Sequence, residues 1–278
     1  MIVMSDIRII KASGQTENFS EEKLLRSIQR AGVPEKLQGE TVEHIREKLY
    51  QDMPTSEIYR HILEYLGKSP YPHSGSRYSL KQAIMDLGPT GFPFEKFIAS
   101  ILNRHGYKTE TDVILPGFCV SHEVDVLAEK DNQKIMIECK FHNRMGSRTD
   151  IKVALYVMAR YQDLTVGWIN RDNASKLTEV WLVTNTKCTT DAIAYAQCMG
   201  IRIVSWGYPE KGNLQEMIEK DKLHPVTVLT ALNNLQKHLL LDNHLVLCRD
   251  LVDNNLAFDL LKLSPDDVKK LKEEIEAL

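Results

Sequence analysis

The stretch SHEVDVLAEKDNQKIMIECKF, from Ser121 to Phe141, decides how the middle of this chain folds. Two runs of strand-like residues flank Asp131-Asn132, a pair suited to the tight turn of a hairpin. On the second run, residues 134–140, side chains alternate faces. Ile135, Ile137 and Cys139 point into an apolar layer, and Met136, Glu138 and Lys140 point the other way. An acid and a lysine therefore stand at the end of a buried strand, where they are costly unless a partner or a metal compensates. On the first run, residues 123–128, Val124, Val126 and Ala128 share one face while Glu123, Asp125 and Leu127 share the other. Paired as a hairpin, the runs set Asp125 beside Glu138. Two converging carboxylates make an oxygen-ligand site suited to Mg²⁺. Lys140 can then hold or activate a water, or neutralise charge on a phosphate.

Working outward, residues 92–105 have the apolar spacing of a helix, with Phe94, Phe97, Ile98, Ile101 and Leu102 on one face. Glu95 falls at the edge of that face, near the seam with the sheet, where it is a candidate further ligand. Strands are predicted at 113–115, 180–185 and 201–206, with helices at 151–161 and 191–199. Paired strands followed by a strand–helix–strand crossover indicate an α/β sheet. Residues 140–160 carry Lys140, Arg144, Arg148, Lys152 and Arg160 against one acid, Asp150, a stretch suited to a phosphate backbone. His122 reads as a packed or surface residue, and Cys139 as core.

Phe94-Glu95, Gly106-Tyr107, Asp125 and Glu138-Cys139-Lys140 together resemble the PD-(D/E)xK nuclease superfamily, and more closely its Mrr-type restriction endonuclease domains. The resemblance covers roughly residues 90–210. It implies a restriction-endonuclease-like mixed sheet flanked by helices, with Asp125 and Glu138 as metal ligands, Lys140 as the catalytic lysine and Glu95 as an accessory acid. The chemistry it implies is hydrolysis of DNA phosphodiester bonds with Mg²⁺, in restriction, defence or repair. Val124 stands where the superfamily name has proline.

Residues 1–88 open with a strand, Ile7-Arg8-Ile9-Ile10, and a turn at Ser13-Gly14, and continue as helices starting at Ser20 and covering 40–51, 55–66 and 77–87. Ser20 caps the first of these, and Thr55 or Ser56 the third. Ile9-Ile10-Lys11, Gly14, Glu17, Phe19, Glu22-Lys23-Leu24, Pro54-Thr55-Ser56 and Arg77-Tyr78-Ser79 resemble the ATP-cone domain, a nucleotide-sensing module. Lys11 and Lys23 are placed to meet a triphosphate, and Thr55 at a helix start adds a hydroxyl and free N–H groups. The resemblance makes Glu17 a ribose or base contact and ATP or dATP a regulatory ligand. Ala12 stands where the family often has arginine. There is no Walker-type loop, so a nucleotide here regulates rather than being hydrolysed.

Leu87-Gly88-Pro89-Thr90-Gly91 punctuates the boundary to the nuclease-like segment, taken as 89–212. Residues 213–278 read as a small all-α domain, with a nucleic-acid-binding module as the alternative reading, and Ser264-Pro265-Asp266-Asp267 is a strong helix start.

The chain has 278 residues and a formal net charge of -3, so a nucleic-acid partner must meet a local basic patch. Its 5 cysteines form no C-x-x-C pair, which argues against a zinc finger or a disulfide framework. The first residues do not read as a signal peptide, and no apolar run is long enough for a membrane span. A cytoplasmic protein is expected. Cutting both strands takes two sites, so a homo-oligomer, a dimer or higher, is expected. The competing reading is a non-enzymatic, DNA-binding, nucleotide-sensing regulator on a degenerate nuclease fold. A third, an RNA-processing nuclease, shares the site.

Overall fold

In a computed structural model, residues 7–11, 14–30, 33–69, 75, 78–169 and 177–278 are described. Ala12, Ser13 and Arg77, singled out above, lie outside these residues. The chain divides into two compact units. One takes in the described residues up to Ala83 with Thr227–Gln236 and Asn255–Leu278, and the other Ile84–Val226 with Lys237–Asn254. The helical tail is therefore shared out between the two.

The first unit holds a small sheet in which β1 (Arg8–Ile10) runs antiparallel to β2 (Thr16–Asn18) and parallel to β3 (Met53–Pro54). Helices α1 (Glu21–Arg30), α2 (Glu35–Lys48), α3 (Thr55–Gly67) and α4 (Leu80–Met85) follow. Ile9, Phe19, Leu24, Ile28, Ile45, Met53, Ile62 and Leu66 form its core. The Ser20 hydroxyl accepts from Lys23 N at 3.3 Å, the expected cap. Two helix starts differ from expectation. The second helix begins at Glu35, because Pro34 fixes the preceding turn, and ends at Lys48. The third has Pro54 at its cap position with no side-chain hydrogen bond, so neither Thr55 nor Ser56 caps it.

The second unit is built on a five-stranded sheet in the order Ile201–Val204, Leu177–Thr184, Gln133–Lys140, Ser121–Lys130, Lys108–Pro116. Strands β4 (Lys108–Pro116), β5 (Ser121–Lys130) and β6 (Gln133–Lys140) form an antiparallel meander. Strands β8 (Leu177–Thr184) and β10 (Ile201–Val204) extend it in parallel. The β5–β6 turn is Asp131-Asn132, with φ of 51 and 62, the two-residue form that positive φ at both positions defines. Helix α5 (Phe92–Arg104) buries Phe94, Phe97, Ile98, Ile101 and Leu102. Helices α6 (Ile151–Ile169) and α7 (Thr190–Met199) pack with Val124, Leu127, Met136, Val180 and Leu182. Met136, on the Glu138 face of β6, joins this layer, and Ile135 and Ile137 are buried on the other, so the strand is covered on both sides. Short strands β7 (Arg148–Thr149) and β9 (Lys187–Cys188) pair in parallel.

The tail contributes α8 (Leu214–Lys220), α9 (Asn234–Asp242), α10 (Asn255–Leu261) and α11 (Pro265–Ala277). Ser264 caps α11 by accepting from Asp267 N at 3.2 Å. Within the first unit, the buried Glu274 accepts from Thr230 N at 2.7 Å and Ala231 N at 3.0 Å, which satisfies a carboxylate 3% exposed. Among the described residues no helix is long and apolar enough to cross a membrane.

Candidate active site

The last regular pair between β5 and β6 is Val126 with Ile137. One residue further, the register sets Asp125 against Glu138, and the strands part. The Asp125 carboxylate replaces a backbone acceptor there, taking the N–H of Cys139 at 2.7 Å. Glu138 is buried, and Lys140 is exposed where β6 ends. The chain beyond Lys140 is held by Asn185, fully buried, which accepts from His142 N and donates to His142 O, both at 2.9 Å. This two-point clamp fixes the path of the segment that follows the lysine.

Glu95, on the first turn of α5, points into the same region, and burial together with Asp125 and Asp112 raises its pKa to about 8. Burial and then Asp125 push Glu138 up to about 7, against the opposing pull of Arg160 and Lys140. Burial also raises Asp125, although the Cys139 N–H and Arg160 pull it down. The structure thus brings Glu95, Asp125 and Glu138 together, with Lys140 acting on Glu138 from the rim.

Two site residues escaped the sequence reading. Asp112 interrupts the β4–β5 ladder between the pairs Thr111–Val126 and Val113–Val124. Its φ of 57 is a left-handed conformation that aspartate tolerates better than most residues. Its carboxylate helps to raise the Glu95 pKa, and it pairs with Lys96 Nζ at 3.0 Å. Arg160 was counted with the outward basic stretch. Instead its Nη1 donates to Glu138 Oε2 at 2.5 Å and to the Glu123 carbonyl at 2.9 Å. Its spacing from Tyr156, one helical turn, was the available signal: Tyr156 donates to Glu138 Oε1 at 3.2 Å, and the guanidinium lies 4.4 Å from the Tyr156 ring. His122 lies in a separate cluster, bound to Asp163 Oδ2 at 2.8 Å, and Cys139 is buried.

Among the described residues, no three His, Cys, Asp or Glu side chains are grouped to hold a metal ion unaided. The donor chemistry nonetheless fits a hard divalent cation. Asp125 and Glu138 offer carboxylate oxygens, and Mg²⁺ usually keeps several waters beside one or two carboxylates. Burial raises both pKa values, and the pull of Arg160 only partly opposes it.

These shifts set a pH dependence. A carboxyl whose folded pKa exceeds its unfolded value holds its proton more tightly when folded, so stability is greatest below the unfolded pKa and falls as pH rises through the folded one. Between about pH 5 and 8 the ion-free protein is expected to lose roughly 5 °C or more in Tm. Saturating Mg²⁺ should flatten that decline. Melting curves across this range, with EDTA or Mg²⁺, check it, and a Tm that rises with pH would contradict it.

In the first unit, Lys11 Nζ and Lys23 Nζ both meet Glu17 Oε2, at 2.6 Å and 3.1 Å. The Lys11 contact, followed by that of Lys23, draws the Glu17 carboxyl below its usual range. Thr55 is brought to the same end of the small sheet, since Ile10 pairs with Pro54. It begins α3, where backbone N–H groups are free to meet an anion.

Comparison with known proteins agrees with this architecture. Residues 7–84 match the ATP cone domain, residues 89–207 the restriction endonuclease family, and residues 224–278 the AF1548-like C-terminal family. An uncharacterized protein of Archaeoglobus fulgidus is 39% identical over 155 residues, which span 56% of this chain and 83% of that protein. The crystal structure of AF1548, a protein of unknown function, aligns with a TM-score of 0.56 and 34% identity, covering 67% of this chain and 97% of that one. Fold and site define a restriction-endonuclease-like protein preceded by an ATP cone. The chain belongs to the AF1548-like family.

Proposed function

We propose that this protein is a Mg²⁺-dependent DNA endonuclease whose ATP cone makes it responsive to ATP or dATP. The observation that carries this reading is the pairing of half-buried Asp125 with buried Glu138 at the point where β5 and β6 part, with exposed Lys140 at its rim. Asp125 and Glu138 would hold the ion. Bound there, Mg²⁺ supplies Lewis-acid activation of a water and charge neutralisation at the phosphate. Lys140 orients that water or neutralises charge on the phosphate, and Glu95 with Asp112 adds negative potential beside the ligands. Lys140, Arg144, Arg148 and Lys152 are exposed, and the β7–β9 register sets Arg148 beside the equally exposed Lys187. Adjacent like charges repel unless a polyanion bridges them, which suits a nucleic-acid backbone.

In the ATP cone, Lys11 and Lys23 would exchange Glu17 for a triphosphate, with Thr55 as an added donor and Glu17 freed for the ribose or base. A homo-oligomer would supply the second site that double-strand cutting needs. The competing regulator reading draws on Arg160, which already partners Glu138 as a degenerate site would allow.

Purified protein incubated with supercoiled plasmid tests the proposal. Nicking or linearisation with Mg²⁺, abolished by EDTA and altered in rate by ATP, is the expected result. Tight DNA binding without cleavage under Mg²⁺ or Mn²⁺ would decide for the regulator, and cleavage confined to RNA would reassign the substrate.

A further inference from the structure

Arg160 is engaged at the site and yet incompletely satisfied. Its Nη1 is shared between Glu138 Oε2 and the Glu123 carbonyl, while its Nε is buried with no hydrogen-bond partner among the described residues. Side-chain exposures of 15% for Arg160 and 12% for Glu138 shield the contact from solvent. With Tyr156 on Oε1 and Arg160 on Oε2, both oxygens of Glu138 are occupied from α6. An arginine in a protein does not give up its proton, so its charge stays and repels a second cation at the same carboxylate. A buried N–H without an acceptor also costs free energy, which favours any arrangement that finds it one.

We propose that Arg160 is a latch on Glu138: it holds the carboxylate in the ion-free protein, competes for it with a divalent cation, and is released towards a phosphate oxygen when the site loads. This rests on the reading of Asp125 and Glu138 as a divalent-cation site. The guanidinium fork is suited to that exchange, since it recognises carboxylate and phosphate through the same paired donors. A residue that merely props Glu138 in place would have the opposite effect on ion affinity.

Mn²⁺ binding, read from the loss of the free-ion electron paramagnetic resonance signal, separates the two roles without relying on cleavage. Arg160→Gln is expected to bind Mn²⁺ at least tenfold more tightly than wild type, with Arg160→Lys closer to wild type because it keeps the charge. Equal or weaker binding by Arg160→Gln overturns the latch, as does failure of both wild type and Arg160→Gln to bind. Should Arg160→Gln fail to fold, dicarbonyl modification of wild type, mapped by mass spectrometry, gives a second readout. Modification at Arg160 should rise severalfold on adding Mn²⁺, and an unchanged or reduced yield overturns the proposal. Wild type that binds Mn²⁺ and exposes Arg160 but cuts no nucleic acid keeps the latch and refutes the nuclease reading.

Discussion

Replacing Lys140 by alanine is expected to slow plasmid cleavage roughly a hundred- to thousandfold, the usual cost of removing one preorganised donor from a site where charge develops. Lys140 stands two residues beyond Glu138, on the same face of β6, at the point where the strand leaves the sheet. It is exposed, so the fold should tolerate its loss, with stability changing by no more than about 0.5 kcal/mol. A second effect follows from its charge. Lys140 helps to hold down the pKa of Glu138, so without it that carboxyl titrates higher and the residual activity should move to more alkaline pH. Single-turnover cleavage at saturating Mg²⁺, across pH, reads both. Lys152→Ala is the control, because an exposed lysine that meets only backbone phosphate should change the salt dependence of binding rather than the rate at saturation. Equal rates for wild type and Lys140→Ala would remove Lys140 from the chemistry.

Gly167→Ala is expected to have the largest effect on stability, in the direction opposite to helix propensity. In an exposed helix interior the change stabilises by about 1 kcal/mol. Here a Cβ on Gly167 would lie 2.5 Å from the Gly117 carbonyl carbon and 2.6 Å from Phe118 N, both backbone atoms. The loop cannot easily step back. Phe118 N donates to the Asp163 carbonyl at 3.0 Å, Cys119 N to Asp163 Oδ1 at 2.8 Å, and His122 meets Asp163 Oδ2 at 2.8 Å. Overpacking against a pinned backbone should cost about 3 kcal/mol. That corresponds to a Tm lower by roughly 6–12 °C. Thermal melting followed by circular dichroism, with tryptophan fluorescence as a second signal, measures it. An unchanged or raised Tm would show that the loop is free to withdraw. Because Tyr156 and Arg160 lie on the same helix, a shift of α6 should also disturb Glu138.

The hairpin around Asp131-Asn132 was legible because alternation and turn chemistry are local signals. The α5 face carrying Glu95 was legible from its 3.6-residue period, and Asp125 opposite Glu138 followed from the hairpin alone. What escaped depends on contacts distant in sequence. Asp112 joins the site through the β4–β5 register and a left-handed backbone, neither of which its surroundings announce. Arg160 sits in a run of basic residues whose composition suggests solvent, yet its own turn of α6 faces the sheet. Asn185 could not be tied to His142 before the parallel pairing of β6 with β8 was known. The cap of α3 was misplaced because Thr55 and Ser56 carry the hydroxyls that favour a cap, whereas the cap position falls on Pro54, whose side chain has no acceptor.

The passage of the tail between the two units has a consequence for anyone who would take the protein apart. A cut near Gly88 severs the peptide chain but frees neither half, since Thr227–Gln236 and Asn255–Leu278 belong with the first unit although they follow the second in sequence. Truncation before Asn255 would remove Glu274 and leave the N–H groups of Thr230 and Ala231 without the carboxylate that accepts them. Neither unit can be borrowed as a portable cassette or exchanged between relatives at one junction, and the ATP cone travels together with Asn255–Leu278.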